Sequence, residues 1–85
     1  MRLHIYWTDT NTDPPPTYRV FRNGELVRES TDRVYTDVPV PGDNLYRIES
    51  SNGGEAGRIG YNTISGNHIE TGPSSTTILI TLSPI

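Results

Sequence analysis

Tyr18-Arg19-Val20-Phe21-Arg22-Asn23-Gly24-Glu25-Leu26-Val27-Arg28 decides the fold. Asn-Gly is the pair a type I′ hairpin turn asks for, because both central residues need positive φ. On the first flank Tyr18, Val20 and Arg22 share one face, and Arg19 and Phe21 the other. That period of two belongs to a strand, not a helix. The stretch is therefore a β-hairpin, and the rest of the chain is read as completing the small sheet structure it begins.

Beyond the hairpin, Glu29 to Asp32 is polar and turn-like, and Val34 to Val38 is a short strand stopped by Pro39. Pro41-Gly42-Asp43-Asn44 is a turn. Leu45 to Ser51 is a strand with Tyr46, Ile48 and Ser50 opposite Leu45, Arg47 and Glu49, closed by Asn52-Gly53-Gly54. Arg58 to Ile64 is another, with Ile59 and Tyr61 on one face, and Ser65-Gly66-Asn67 breaks it. Ahead of the hairpin, Leu3, Ile5 and Trp7 alternate with His4 and Tyr6 as a half-buried strand. Thr8 to Thr17 contains three consecutive prolines, which lack the N–H a ladder needs, so it is a loop. His68-Ile69-Glu70 is too short to assign. After the linker Gly72-Pro73-Ser74-Ser75 comes Thr76 to Leu82, the most strand-prone run in the chain. No helical period exceeds a turn, and an all-β antiparallel sandwich follows.

Eighty-five residues make one domain with a small core. No cysteine is present, so neither a disulfide nor a thiolate zinc site can staple it. The net charge of −3 arises from 10 acidic and 7 basic residues spread along the chain. No basic stripe suited to a phosphate backbone stands out, so nucleic acid is not an expected partner. The start lacks the apolar core of a signal peptide, and no apolar run reaches the length of a membrane span. The expected location is the cytoplasm, or a particle released when a cell lyses.

The residues resemble a fibronectin type III domain over positions 3 to 64. Leu3-His4-Ile5-Tyr6-Trp7, the Pro-rich loop and Thr17-Tyr18-Arg19-Val20-Phe21-Arg22-Asn23-Gly24 are similar to that family's second and third strands. Val34 to Val38, Pro41-Gly42, Tyr46-Arg47-Ile48 and Asn52 to Gly57 are similar to the fifth and sixth strands and the turn into the last. The resemblance makes Trp7 and Tyr46 core markers. It also implies a tyrosine corner, with the Tyr46 hydroxyl returning to backbone near Val40 or Pro41. Two departures stand out: the family's first strand is missing, and a strand-forming tail is added. The expected organisation is a sandwich at 1–64 and an extension at 65–85 with a strand at 76–82.

The departures explain each other if the tail fills the edge left open beside Leu3 to Trp7. Residues 65–75 would span about 36 Å when extended at about 3.3 Å per residue, enough to cross a small domain. Filled in cis, the slot closes one chain; filled in trans, it makes an exchanged oligomer. Leu3, Ile5, Ile78, Ile80 and Leu82 are thus candidate interaction residues. Arg19 and Arg47 join them, because arginine's planar fork pairs with carboxylates and stacks on aromatics. Arg22, Arg28 and Arg58 complete a set that equally suits a solvated sheet face. Trp7, Tyr46, Asn23 and Gly24 are structural candidates.

Chemistry is thinly represented. Asp9-Thr10-Asn11-Thr12-Asp13 alternates oxygen ligands as a calcium loop does, but Pro14 stands where the glycine belongs and Val20 where the final carboxylate belongs. His4 and His68 have no second ligand at metal spacing. No nucleophile motif is present, and a pairing of Asp32 with Asp37 cannot be assigned. No enzyme, cofactor or metal is expected. Tyr6, Tyr35 and Tyr61 could form a sugar platform if exposed, or cover the core if not. The expected function is non-enzymatic. Small free-standing domains of this kind resemble the decoration (cement) proteins of tailed-phage virions, which bind a capsid or tail lattice through flat surfaces and strand addition. The alternative is a carbohydrate- or cell-surface-binding module.

Overall fold

The computed structural model describes residues 1–85. Eight strands form it: β1 (Leu3–Asp9), β2 (Tyr18–Arg22), β3 (Glu25–Ser30), β4 (Val34–Asp37), β5 (Asp43–Ser50), β6 (Gly57–Asn62), β7 (His68–Ile69) and β8 (Ile78–Pro84). A three-stranded sheet runs β4-β1-β8 and a five-stranded sheet β3-β2-β5-β6-β7, and every pairing is antiparallel. The inward residues of both sheets make one core: Leu3, Ile5, Trp7, Tyr18, Val20, Tyr46, Ile48, Tyr61, Ile78, Ile80 and Leu82. The chain is an all-β sandwich, and no helix in it is long and apolar enough to cross a membrane.

The hairpin forms as its sequence dictates. Arg22 faces Glu25 across a two-residue turn, with Asn23 at φ 52° and Gly24 at φ 83°. A bulge follows, since Val20 opposes Arg28 while Phe21 opposes Leu26. The turn does not hang free. The Asn23 amide donates to the Leu45 carbonyl (2.9 Å), and its side-chain oxygen accepts from the Leu45 amide (2.8 Å). One asparagine thus sets the turn and docks it on β5.

The tail fills the slot beside β1 in cis, with Leu3 opposite Pro84 and Asp9 opposite Ile78. Residues 65–85, expected as an extension, therefore supply two strands of the sandwich and three of its core side chains. β8 starts at Ile78, not at Thr76. The Ser75 hydroxyl accepts from the amides of Thr77 and Ile78, both at 3.0 Å, and this local turn competes with the ladder. At its other end Ile85 exchanges two backbone bonds with Arg2, so the ring nitrogen of Pro84 faces the open edge, where no donor is needed. β6 stops at Asn62, short of Ile64, because the Asn62 side chain accepts from the amides of Ile64 and Ser65. Gly57 lets β8 approach β6: a Cβ there would stand 2.9 Å from the Ile78 carbonyl oxygen.

The sheets are also joined by a buried ion pair. Asp37 ends β4 only 2% exposed and takes Arg22 Nη1 at 2.8 Å on each carboxylate oxygen. The hydroxyls of Tyr46 (2.5 Å) and Tyr35 (3.1 Å) also donate to it. The tyrosine corner is therefore not made. Tyr46 reaches across the core to a carboxylate, a stronger acceptor than a backbone carbonyl. Asn44, fully buried, closes the 40–44 turn instead: its oxygen accepts from the Val40 amide and its nitrogen donates to the carbonyls of Val40 and Gly42. Arg22 leaves the set expected on a solvated face, since it belongs to the inward row of Tyr18 and Val20.

These hydroxyls give a pH dependence. Burial first, then donation to a carboxylate, raises the pKa of Tyr18 (on Asp9), Tyr35 and Tyr46 (both on Asp37) above 10.0. Below about pH 10 both states hold the protons and the stabilisation is complete. Above it the unfolded chain loses protons that the folded chain keeps, so stability falls as pH rises. The urea midpoint, followed by circular dichroism, is expected to drop between about pH 9 and 11. Tyr46→Phe should lower the midpoint at neutral pH yet flatten that drop. A midpoint insensitive to pH over this range would contradict the assignment.

Candidate functional site: the outer face of the five-stranded sheet

Residues that β2, β5 and β6 send away from the core meet in cross-strand rows. One row runs Leu26–Phe21–Arg47–Arg58, the next Glu29–Arg19–Glu49, and a third Leu45–Gly60–Ile69. The alternation that buries Tyr46 and Ile48 is what turns Leu45, Arg47 and Glu49 outward. In the row of Glu29, Arg19 and Glu49, Arg19 Nε donates to Glu29 at 2.6 Å, with both side chains about half exposed. Such a pair adds little to stability.

The row of Arg47 and Arg58 differs. The two cations stand directly opposite each other in the ladder, an arrangement that costs a few tenths of a kcal/mol to about 1 kcal/mol. Arg47 is steadied by the Phe21 ring, 4.7 Å below its guanidinium carbon, and by Glu49 at 3.6 Å. Its Nε is buried and meets no acceptor. Arg58 is exposed and forms no ion pair. Around them Leu26 and Leu45 are each 47% exposed. Leu45, Arg47 and Arg58, with the half-buried Phe21, border an open concavity of about 610 Å³ that Ile69 and Glu70 also line. Arginine beside exposed aliphatic and partly covered aromatic side chains has the composition of a protein interface.

The other expected site residues are dispersed. Leu3, Ile5, Ile78, Ile80 and Leu82 face the molecule's own core, at 9% exposure or less, because cis closure turns them inward. They offer nothing to a partner in this form. Trp7 is buried edge-on to Tyr18. Asp32 pairs with Arg28 at 3.6 Å, away from Asp37. Asp9 spends its carboxylate on the Asn11 amide and the Tyr18 hydroxyl. The Asn52 side chain ties the same loop down by donating to the carbonyls of Asn11 and Pro14. His4 lies beside Tyr6, and His68 packs edge-on to Tyr61. No group of three or more His, Asp or Glu side chains converges as a metal site would. Tyr35 is half-buried and Tyr61 buried, so Tyr6 alone of the three tyrosines is exposed.

The Arg47–Arg58 juxtaposition was not visible in the sequence as a pair. Each arginine sits in an alternating strand, but only the β5–β6 register places them together. No protein family, curated protein or solved structure matches the chain.

Proposed function

We propose that the chain is a non-enzymatic interaction module that docks on an acidic protein surface through the outer face of its five-stranded sheet. The carrying observation is the pair of opposed arginines, flanked by Phe21, Leu26 and Leu45. A carboxylate placed between the two guanidinium groups relieves their repulsion and receives fork-shaped hydrogen bonds. The open concavity between Phe21, Leu45, Arg58 and Ile69 suits a carboxylate side chain that protrudes from a folded partner or lattice.

The family reading proposed with it is a fibronectin type III-like sandwich. In sandwiches of this class the second and fifth strands share one sheet, and the third, sixth and seventh share the other. Here β1 and β4 pair, and β2, β5 and β6 run in that order. β8 then stands where the first strand would be, so the order is that of a sandwich with its first strand moved to the end. The setting we propose is a tailed-phage virion, with the chain as a decoration protein on the capsid or tail lattice.

The test is sedimentation of a lysate in which the chain is expressed from its own genome. The wild-type chain is expected to travel with particles. Arg47→Glu/Arg58→Glu should stay at the top of the gradient, since loss of a desolvated charge pair weakens binding by about 30-fold or more. Wild-type chain found only at the top would reject the lattice setting. Equal sedimentation of the charge-reversed variant would reject this face.

A further inference from the structure

The outer face of the three-stranded sheet differs from the arginine face: the strands that form it present no charged side chain, and Arg2, paired with Ile85 beyond His4 in the ladder, borders it at one end. Charged residues are 20% of the chain, yet none of the side chains that β1, β4 and β8 send outward is Asp, Glu, Lys or Arg. At its centre lies Tyr6, 40% exposed, between Val34 on β4 and Thr81 on β8. The His4 ring lies beside it, 5.3 Å between centroids and tilted by 38°. His4 is in turn flanked by Thr36 and Ser83, with its Nδ1 3.4 Å from the Thr36 hydroxyl.

The chemistry of this face selects among occupants. Two planar rings lie side by side, bordered by hydroxyls that each donate and accept. A charged ligand finds no counter-ion around Tyr6, since Arg2 stands at the end of the face, beyond His4. A second copy of the chain would need about 800 Å² of surface from each partner. Two strands of seven residues and one of four, about 4.8 Å apart and at about 3.4 Å per residue, give a footprint of only about 290 Å². A neutral sugar fits both limits. Its C–H face lies flat on an aromatic ring, and its hydroxyls pair with a rim of donors and acceptors that carry no charge. We infer that this face binds a neutral saccharide, with Tyr6 as the stacking platform and His4, Thr36 and Thr81 as polar contacts. The inference is independent of the protein-docking face, which lies on the other sheet.

Native electrophoresis through gels containing a neutral β-glucan, mannan or galactan tests it, with sulfated dextran as the charged control. The chain is expected to be retarded by at least one neutral polymer and not by the charged one. Tyr6→Ala should raise the dissociation constant about tenfold or more, while Tyr6→Phe keeps it. Thr81→Arg, which sets a bulky cation beside the ring, should weaken binding as well, and covers the case in which Tyr6→Ala fails to fold. Migration unaltered by every neutral polymer overturns the inference, and so does equal retardation of the wild type and folded Tyr6→Ala. Sedimentation showing a wild-type dimer that Tyr6→Ala dissolves would overturn it too, by giving the face to a second copy.

Discussion

A chain ending before Thr76 is expected not to fold. Ile78, Ile80 and Leu82 are three of the 11 buried core side chains, and all lie on β8. At about 1.5–3 kcal/mol each, their burial contributes about 5–9 kcal/mol. A small domain has only about 5–15 kcal/mol in total. Truncation also strips the pairing from one side of β1, from Leu3 to Asp9, and exposes Leu3, Ile5 and Trp7 at that edge. Circular dichroism and urea titration of residues 1–75 should show no cooperative transition. Adding a synthetic peptide of residues 74–85 should restore one, because the missing strand is then supplied in trans. A truncated chain that unfolds cooperatively at the full-length midpoint would refute the role given to β8. Light scattering bears on the same point: cis closure predicts the mass of one chain, and strand exchange a concentration-dependent multiple of it.

Loss of Asp37 should be nearly as severe. Its carboxylate receives Arg22, Tyr35 and Tyr46 at a site 2% exposed. Asp37→Ala leaves the Arg22 guanidinium, itself mostly buried, with the Val38 carbonyl as its only other acceptor. Breaking one side of a buried pair costs about 3–5 kcal/mol, because an uncompensated charge is left inside. The pair as a whole is a different matter. Replacing both partners with apolar residues removes the desolvation cost along with the attraction, so Arg22→Met/Asp37→Leu should recover a large part of the loss. Urea midpoints of the two single variants and the double variant check this. Additive losses would mean that the ion pair does not couple β4 to β2 as the geometry indicates.

The two results read the same seam from different sides. β8 closes the outer edge of the three-stranded sheet by backbone pairing and apolar burial, and Asp37 fastens that sheet's other edge to the facing sheet. Both act through backbone pairing and inward side chains rather than through outward ones. Arg47, Arg58 and Tyr6 can therefore be altered without disturbing what holds the sandwich together, and binding can be separated from folding by experiment.

The residues by themselves determined seven of the eight strand segments, the inward side of the alternating ones, and where the hairpin turns; the two-residue β7 was too short to read. Those properties are local. Period-two alternation and the positive φ of Asn23-Gly24 operate within a few residues, and they placed Leu3, Ile5, Trp7, Tyr18, Val20, Tyr46 and Ile48 inside. The tertiary structure alone decided which strands are neighbours. The tail lies 69 or more residues from the strand it pairs with (Ile78 opposite Asp9), and the same backbone groups could have paired in another copy. Asp37 looked like any strand-end carboxylate until Arg22 and Tyr46 met it from the facing sheet. Arg47 and Arg58 became a pair, and the face around Tyr6 became uncharged, only once register set strand beside strand. Register is decided by core packing and loop reach, which act over the whole chain at once. That is why the inward residues can be read along a single strand, while the outward surfaces that do the binding cannot.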